Sequence, residues 1–205
     1  MSMEREGSEE LERLVAKVRA CTACERLPLG PRPVLQVSAT ARLLVASQAP
    51  GARAHGSGLP FSDASGDQLR RWMGVSEDLF YDASRVAIVP MAFCYPGRSS
   101  GGGDLAPPRV CATLWRDALL AKLPQLQLTL LVGTHAQEHV LGSGRMTSRV
   151  RSFADGLTAM FPLPHPSWRS HGWMARNPWF EEEVLPELRR QIARALAPTD
   201  GRARP

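Results

Sequence analysis

Leu43-Leu44-Val45-Ala46-Ser47-Gln48-Ala49-Pro50-Gly51 is the stretch that decides the fold. Its first residues are apolar without a polar interruption, which predicts a strand buried on both faces, and Ala-Pro-Gly ends that strand in a turn. Comparable runs recur at wide spacing, so the expected strands are Leu43 to Ser47, Val86 to Met91, Leu128 to Gly133 and Met160 to Leu163. Helical patterns lie between them, among them Gly66 to Met73 and Arg109 to Lys122. Strands alternating with helices predict an α/β protein with a parallel sheet covered on both faces. In such sheets function gathers at the carboxyl ends of the strands, and each motif discussed below follows one of the apolar runs.

Working outward, residues 8 to 20 put Leu11, Leu14, Val15 and Val18 on one helical face, with Ser8 as the expected cap and Cys21 directly after. A last helix is expected from Asn177-Pro178, through Glu181, Glu182 and Glu183, toward Arg189, Arg190 and Arg194. That charge order complements the helix dipole, and Pro186 is expected to kink or split the helix. Tyr95 to Pro108 and Gly142 to Ser152 read as loops. A single domain over 1–205 is expected, ordered over about 8–196, with flexible N-terminal residues and a flexible 197–205 tail.

The 205 residues are 43% hydrophobic and 22% charged, enough to bury a core without disulfides. The net charge is +5 and the pI about 9.5, which suits a phosphate backbone but equally a basic protein with no nucleic-acid partner. The N-terminus MSMEREGSEELERL is acidic where a secretion signal is basic and then apolar, and no apolar stretch approaches a membrane span. These features predict a cytoplasmic protein, with no membrane partner, in which cysteines stay reduced.

Cys21 and Cys24 form C-x-x-C, and Cys94 and Cys111 are separated by sixteen residues that include a Gly/Pro-rich loop. Four thiolates complete either a tetrahedral zinc site or a cubane iron–sulfur cluster, and free buried cysteines are the plain alternative. After the first strand come Ser47-Gln48-Ala49-Pro50-Gly51, then ARAHGSG read as a bare loop, then Leu59-Pro60-Phe61-Ser62-Asp63-Ala64-Ser65-Gly66. A strand, a Pro-Gly turn and a capped helix make a cradle of backbone N–H groups. After the fourth strand, Pro164-His165-Pro166-Ser167 holds a histidine between prolines at the sheet edge.

Together the Ser47–Gly51 loop, Pro60-Phe61, His165-Pro166-Ser167 and the four cysteines resemble the uracil-DNA glycosylase superfamily, closest to family four, its iron–sulfur branch. The resemblance covers about residues 10 to 195, including the spacing from Ala49-Pro50-Gly51 to Gly58 and Pro60-Phe61. It implies a three-layer α/β/α sandwich around a four-stranded parallel sheet, and a 4Fe-4S cluster held by Cys21, Cys24, Cys94 and Cys111. It implies a monomer that acts on damaged single- or double-stranded DNA as a monofunctional glycosylase. Phe61 then matches the ring that stacks on the extruded base, and His165 the donor to its oxygen. Gln48 and Ala49 fall in the base-binding loop, and Pro50, Gly51 and Ser167 match the loops that grip phosphates.

The departures bear on chemistry. Gln48 stands where family four has Glu, Ala49 where related enzymes carry a water-activating Asp, and Ala54 where the family has a further acid. Pro90 occupies the place of the Asn that reads uracil's edge, and proline offers neither a side-chain amide nor an N–H. Asp63 and His55 are therefore candidate replacements, against plain roles as a helix cap and a surface loop residue. The segment from Ser167 to Trp173 mixes rings with cations; it is expected either to meet DNA, with Arg169 and Arg176 on phosphates, or to pack through Trp168, Trp173 and Trp179 on the last helix. The expected function is hydrolysis of the N-glycosidic bond of uracil or another deaminated base in DNA. A non-catalytic DNA-binding member and an enzyme on another nucleotide substrate are the alternatives.

Overall fold

The computed structural model describes residues 2–24, 26–152 and 159–198. All of the expected tail except Ala197 and Pro198 lies outside them. The chain opens with α1 (Ser2–Arg19), then β1 (Leu43–Ala46), α2 (Ala52–Ser57), α3 (Ala64–Met73), α4 (Glu77–Tyr81) and β2 (Val86–Ile88). A π-helical turn, Ala112–Arg116, runs into α5 (Asp117–Ala121), followed by β3 (Leu128–Val132), α6 (Thr134–Leu141), α7 (Met146–Arg151) and β4 (Met160–Leu163). Helix α8 (Ser170–Ala175), a second π-helical turn (Phe180–Val184) and α9 (Leu185–Leu196) complete it.

The strands form one parallel sheet in the order β2-β1-β3-β4. Side chains alternate across the pleat, so Leu43 and Val45 face the layer that contains α3 and α9, where Trp72, Phe80, Phe161 and Phe180 are buried. Leu44 and Ala87 face the opposite layer of α1 and α5, with Val18, Phe93 and Leu119. This is the expected α/β/α arrangement, with both faces covered. The chain leaves β1 for β2 on one side and returns to β3 on the other, so the strand order reverses beside β1. Ligand sites of open α/β sheets lie at that switch point.

Several local expectations change. Ser8 is no cap, because α1 begins at Ser2 and carries good helix formers such as Glu6 through the expected boundary. Strand β2 ends at Ile88, short of the expected Met91, although the amides of Val89 and Met91 still donate to Val45 and Ser47 of the β1 segment, at 3.0 and 2.7 Å; Pro90 between them would direct an N–H away from β1, so it costs this ladder no bond. The ARAHGSG segment is helix α2, not a bare loop, and ends where Gly58 adopts φ 75°. The Gly142 to Ser152 loop contains α7, which Met146 and the fully buried Val150 anchor to the core; Gly142 and Gly144 mask the signal.

Asn177 does not cap the last helix: its carboxamide donates to the Trp173 carbonyl at 2.8 Å. The disturbance expected at Pro186 takes the form of the Phe180–Val184 π-turn just ahead of it, which is one way a helix absorbs a missing N–H.

Candidate active site

The carboxyl ends of β1, β2 and β4 meet in a cavity of about 520 Å³, counted to its open mouth. Gln48, Ala49, Pro50 and Gly51 come from β1's end, Pro90 from β2's and His165 from β4's, while Phe61 and Asp63 come from the turn before α3. Residues far apart in sequence are thus gathered by the topology alone. Pro90 makes its part of the wall apolar, as its position in the sequence predicts.

Phe61 is held in an uncommon backbone state. Its φ is 55°, the left-handed region that bulky residues avoid, at a cost of order 1–3 kcal/mol. Two features hold it there. The Tyr81 hydroxyl donates to the Phe61 carbonyl at 3.1 Å, and Tyr81 in turn receives Arg70 Nη1 at 3.2 Å, with Arg70 paired to Asp67 at 2.5 Å. Burial raises the Tyr81 hydroxyl above its ordinary value of 10.0, against the pull of Arg70, so it stays a donor at neutral pH. The Phe61 ring meets Phe80 edge-on, with centroids 6.1 Å apart.

The His165 side chain packs beside Gly133, whose φ of 84° and missing side chain bring the ends of β3 and β4 together. Neither ring nitrogen of His165 has a hydrogen-bond partner among the described residues, and the part-buried ring lines the cavity. Burial lowers its pKa below the ordinary 6.5; Asp63 opposes the shift and His135 adds to it. A neutral imidazole therefore faces the cavity at pH 7. The Gln48 carboxamide, on the same wall, is also without a protein partner among the described residues.

Asp63 takes the helix-cap role: Oδ1 accepts from the amides of Ser65 and Gly66 at 3.0 and 3.1 Å. It nonetheless lines the cavity, and Oδ2 is turned toward Gly51. Asp104, which the sequence reading passed over inside the Tyr95 to Pro108 loop, reaches the same place. That loop makes a small hairpin, with an antiparallel bridge between Arg98 and Asp104 and the Ser99 amide on the Gly103 carbonyl at 2.8 Å. Partial burial raises the Asp104 carboxyl above 3.8; Arg98 opposes the rise, Asp63 reinforces it, and Arg169 opposes it more weakly.

Other candidates fall elsewhere. His55 is buried outside this cavity, with Nε2 3.3 Å from the Leu29 carbonyl, so it neither orients water nor touches a base here. Helix α2 turns it inward, which a bare loop would not have done. Arg169 is occupied within the protein: Nη2 donates to the Gly102 carbonyl at 2.8 Å and the guanidinium lies 5.4 Å from the Trp168 ring centre. It holds the hairpin that carries Asp104, a role the sequence did not disclose. Ser167 lies outside the cavity lining, and its carbonyl accepts the Ser170 hydroxyl at 2.6 Å. The tryptophans divide: Trp173 packs edge-on against Trp179 and Phe180, whereas Trp168 is 74% exposed.

Cys21, Cys24, Cys94 and Cys111 line one small, apolar pocket with Phe93, Val110, Leu114 and Trp115. Among the described residues, no group of three or more His, Cys, Asp or Glu is arranged to hold a single metal ion. The Cys21 sulfur accepts the Trp115 indole N–H at 3.2 Å, and the Arg32 and Phe93 backbone amides hold the Cys94 and Cys111 thiols lower than burial alone would. Burial, with the other thiols adding to it, pushes the Cys94 thiol up to about 11 despite the Arg32 amide.

The fold and this cavity define a doubly wound α/β protein whose pocket, part polar and part apolar, opens at the sheet's switch point. The uracil DNA glycosylase superfamily model matches residues 35–189, and the chain belongs to that superfamily. Members are generally glycosylase hydrolases that act on DNA in base-excision repair. No helix among the described residues is long and apolar enough to cross a membrane.

Proposed function

We propose that this chain is a monofunctional DNA glycosylase of the iron–sulfur branch, which hydrolyses the N-glycosidic bond of a deaminated base. The observation that carries this reading is the convergence of Phe61, His165 and Gln48 on one cavity, with the side chains of the last two lacking hydrogen-bond partners among the described residues. Both side chains are part-buried and, among the described residues, turn polar groups with no protein partner toward the cavity, where an entering ligand can replace water. A flipped base supplies such a ligand: a planar face for the Phe61 ring and a polar edge for Gln48 and His165.

As the glycosidic bond breaks, negative charge grows on the departing base. The neutral His165 imidazole donates to its oxygen, and the donor is already placed when the charge appears. Gln48 presents both a donor and two acceptor lone pairs, so it reads an edge that the apolar Pro90 wall leaves unread. That wall favours a deaminated base other than uracil, with hypoxanthine and xanthine the first to try. Exposed Trp168, stacked on Arg169, is placed to meet the duplex beside the cavity. The reading is tested by incubating single- and double-stranded oligonucleotides that carry uracil, hypoxanthine or xanthine, then cleaving abasic sites with alkali.

The 4Fe-4S proposal is supported by the four thiols around one apolar pocket and by the Trp115 indole N–H on Cys21, a hydrogen bond of the kind cluster sulfurs accept. Such a cluster would serve as a structural clamp. Cys21 and Cys24 would tie the end of α1, and Cys94 and Cys111 the intervening loop, to the sheet. Anaerobically purified protein is expected to be brown and to contain about four irons per chain. Cys111→Ser is expected to lose the visible absorbance and to melt at a lower temperature; colourless wild-type protein containing zinc would contradict the assignment.

A further inference from the structure

The cavity lacks an acid at Ala49, yet hydrolysis needs a group that takes a proton from water. Two carboxylates converge at its mouth from unrelated segments. A Cβ placed on Gly51 would lie 3.5 Å from Asp63 Oδ2 and 3.7 Å from Asp104 Oδ2, so both oxygens border one small space that only the missing side chain leaves free. Neither Oδ2 has a hydrogen-bond partner among the described residues. Asp63 is fixed by its cap, and Asp104 by the Arg98 bridge and by Arg169 on the adjoining Gly102 carbonyl.

Depth separates the roles. His165, part-buried and without a hydrogen-bond partner among the described residues, belongs with the base, while the exposed Asp104 stands at the rim, where the sugar of a flipped nucleotide would lie. We propose that Asp104 and Asp63 form a catalytic carboxylate pair, with Asp104 accepting the proton of the attacking water and Asp63 facing the cationic sugar. This rests on the glycosylase reading above. The water oxygen bonds to C1′, one of its protons passes to Asp104, and the C1′–N bond breaks with its electron pair going to the base. The base anion, held by His165, then takes up a proton while Asp104 returns one to solvent. The products are the free base and an abasic sugar with a hydroxyl at C1′.

The raised Asp104 carboxyl is consistent with this work. A base must be ionised, so the rate falls as pH drops through its pKa, and that acid limb lies above the value of an ordinary aspartate, about 3.9. Asp63 contributes to the rise, so Asp63→Asn, which still caps α3, should move the limb to lower pH.

The test compares wild type, Asp104→Asn and Asp63→Asn in two measurements. One is single-turnover base release across pH. The other is binding to oligonucleotides that carry an abasic site as a cationic pyrrolidine or as a neutral tetrahydrofuran. Asp104→Asn is expected to lower release by about 100-fold or more and to erase the acid limb, and Asp63→Asn to abolish any preference for the cation, each with tetrahydrofuran affinity kept. Release within about threefold of wild type, with the limb intact, would overturn the proposal. If wild type releases no base at all, the glycosylase reading fails and the binding arm decides alone. A cation preference that depends on Asp63 would keep the pair, and its absence would remove it.

Discussion

Gly66→Ala is expected to lower base release by about 100-fold and to destabilise the fold by roughly 1–3 kcal/mol. In a helix such a change ordinarily stabilises by about 0.5–1 kcal/mol, so the sign itself is informative. The added methyl would lie 1.8 Å from the Phe61 carbonyl oxygen, 2.7 Å from its carbonyl carbon and 2.9 Å from its Cβ. Backbone atoms cannot rotate away as a side-chain tip can. Either α3 shifts or Phe61 leaves its left-handed conformation, and both break the Tyr81 bond to its carbonyl. Thermal melting and single-turnover kinetics on the same preparation check both parts. A variant that is more stable and fully active would show that Phe61 is not seated against Gly66.

His165→Ala is expected to fall by about 10²–10³ in the rate of base release, with little change in DNA affinity or melting temperature at pH 7. Among the described residues no hydrogen bond is lost with the ring, so the defect should appear almost wholly in the chemical step. An equal loss of activity and stability would mark the residue as core. Burial holds its pKa below 6.5, so between that value and the lowered one the unfolded chain binds more protons than the folded chain. The wild type therefore loses stability as pH falls below about 6.5, and His165→Ala should lose less over that window.

The sheet was legible because its strands are buried on both faces: uninterrupted runs such as Leu43 to Ala46 and Leu130 to Val132 have no other stable setting. The cavity motifs were legible because Gln48, Pro90 and His165 each follow a strand end. What the sequence hid depends on contacts between distant segments. Asp104 lies in a glycine-rich stretch with no periodicity, and its hairpin is held in place by a contact from a distant segment, the Arg169 to Gly102 bond. His55 looked available in a bare loop, but the short helix α2 turns it inward. Asp63 proved to be both a cap and a cavity residue, because a carboxylate's two oxygens can serve separate neighbours.

The central claim is that this cavity severs a base from DNA. Its most direct test is mass-spectrometric detection of free base, with wild type and His165→Ala run side by side on the uracil, hypoxanthine and xanthine oligonucleotides. Release of at least one base by wild type, matched by an equal yield of abasic sites and lost in His165→Ala, is the expected result. DNA binding without release of any base from any strand would contradict it and would leave a superfamily member that binds DNA without cutting it.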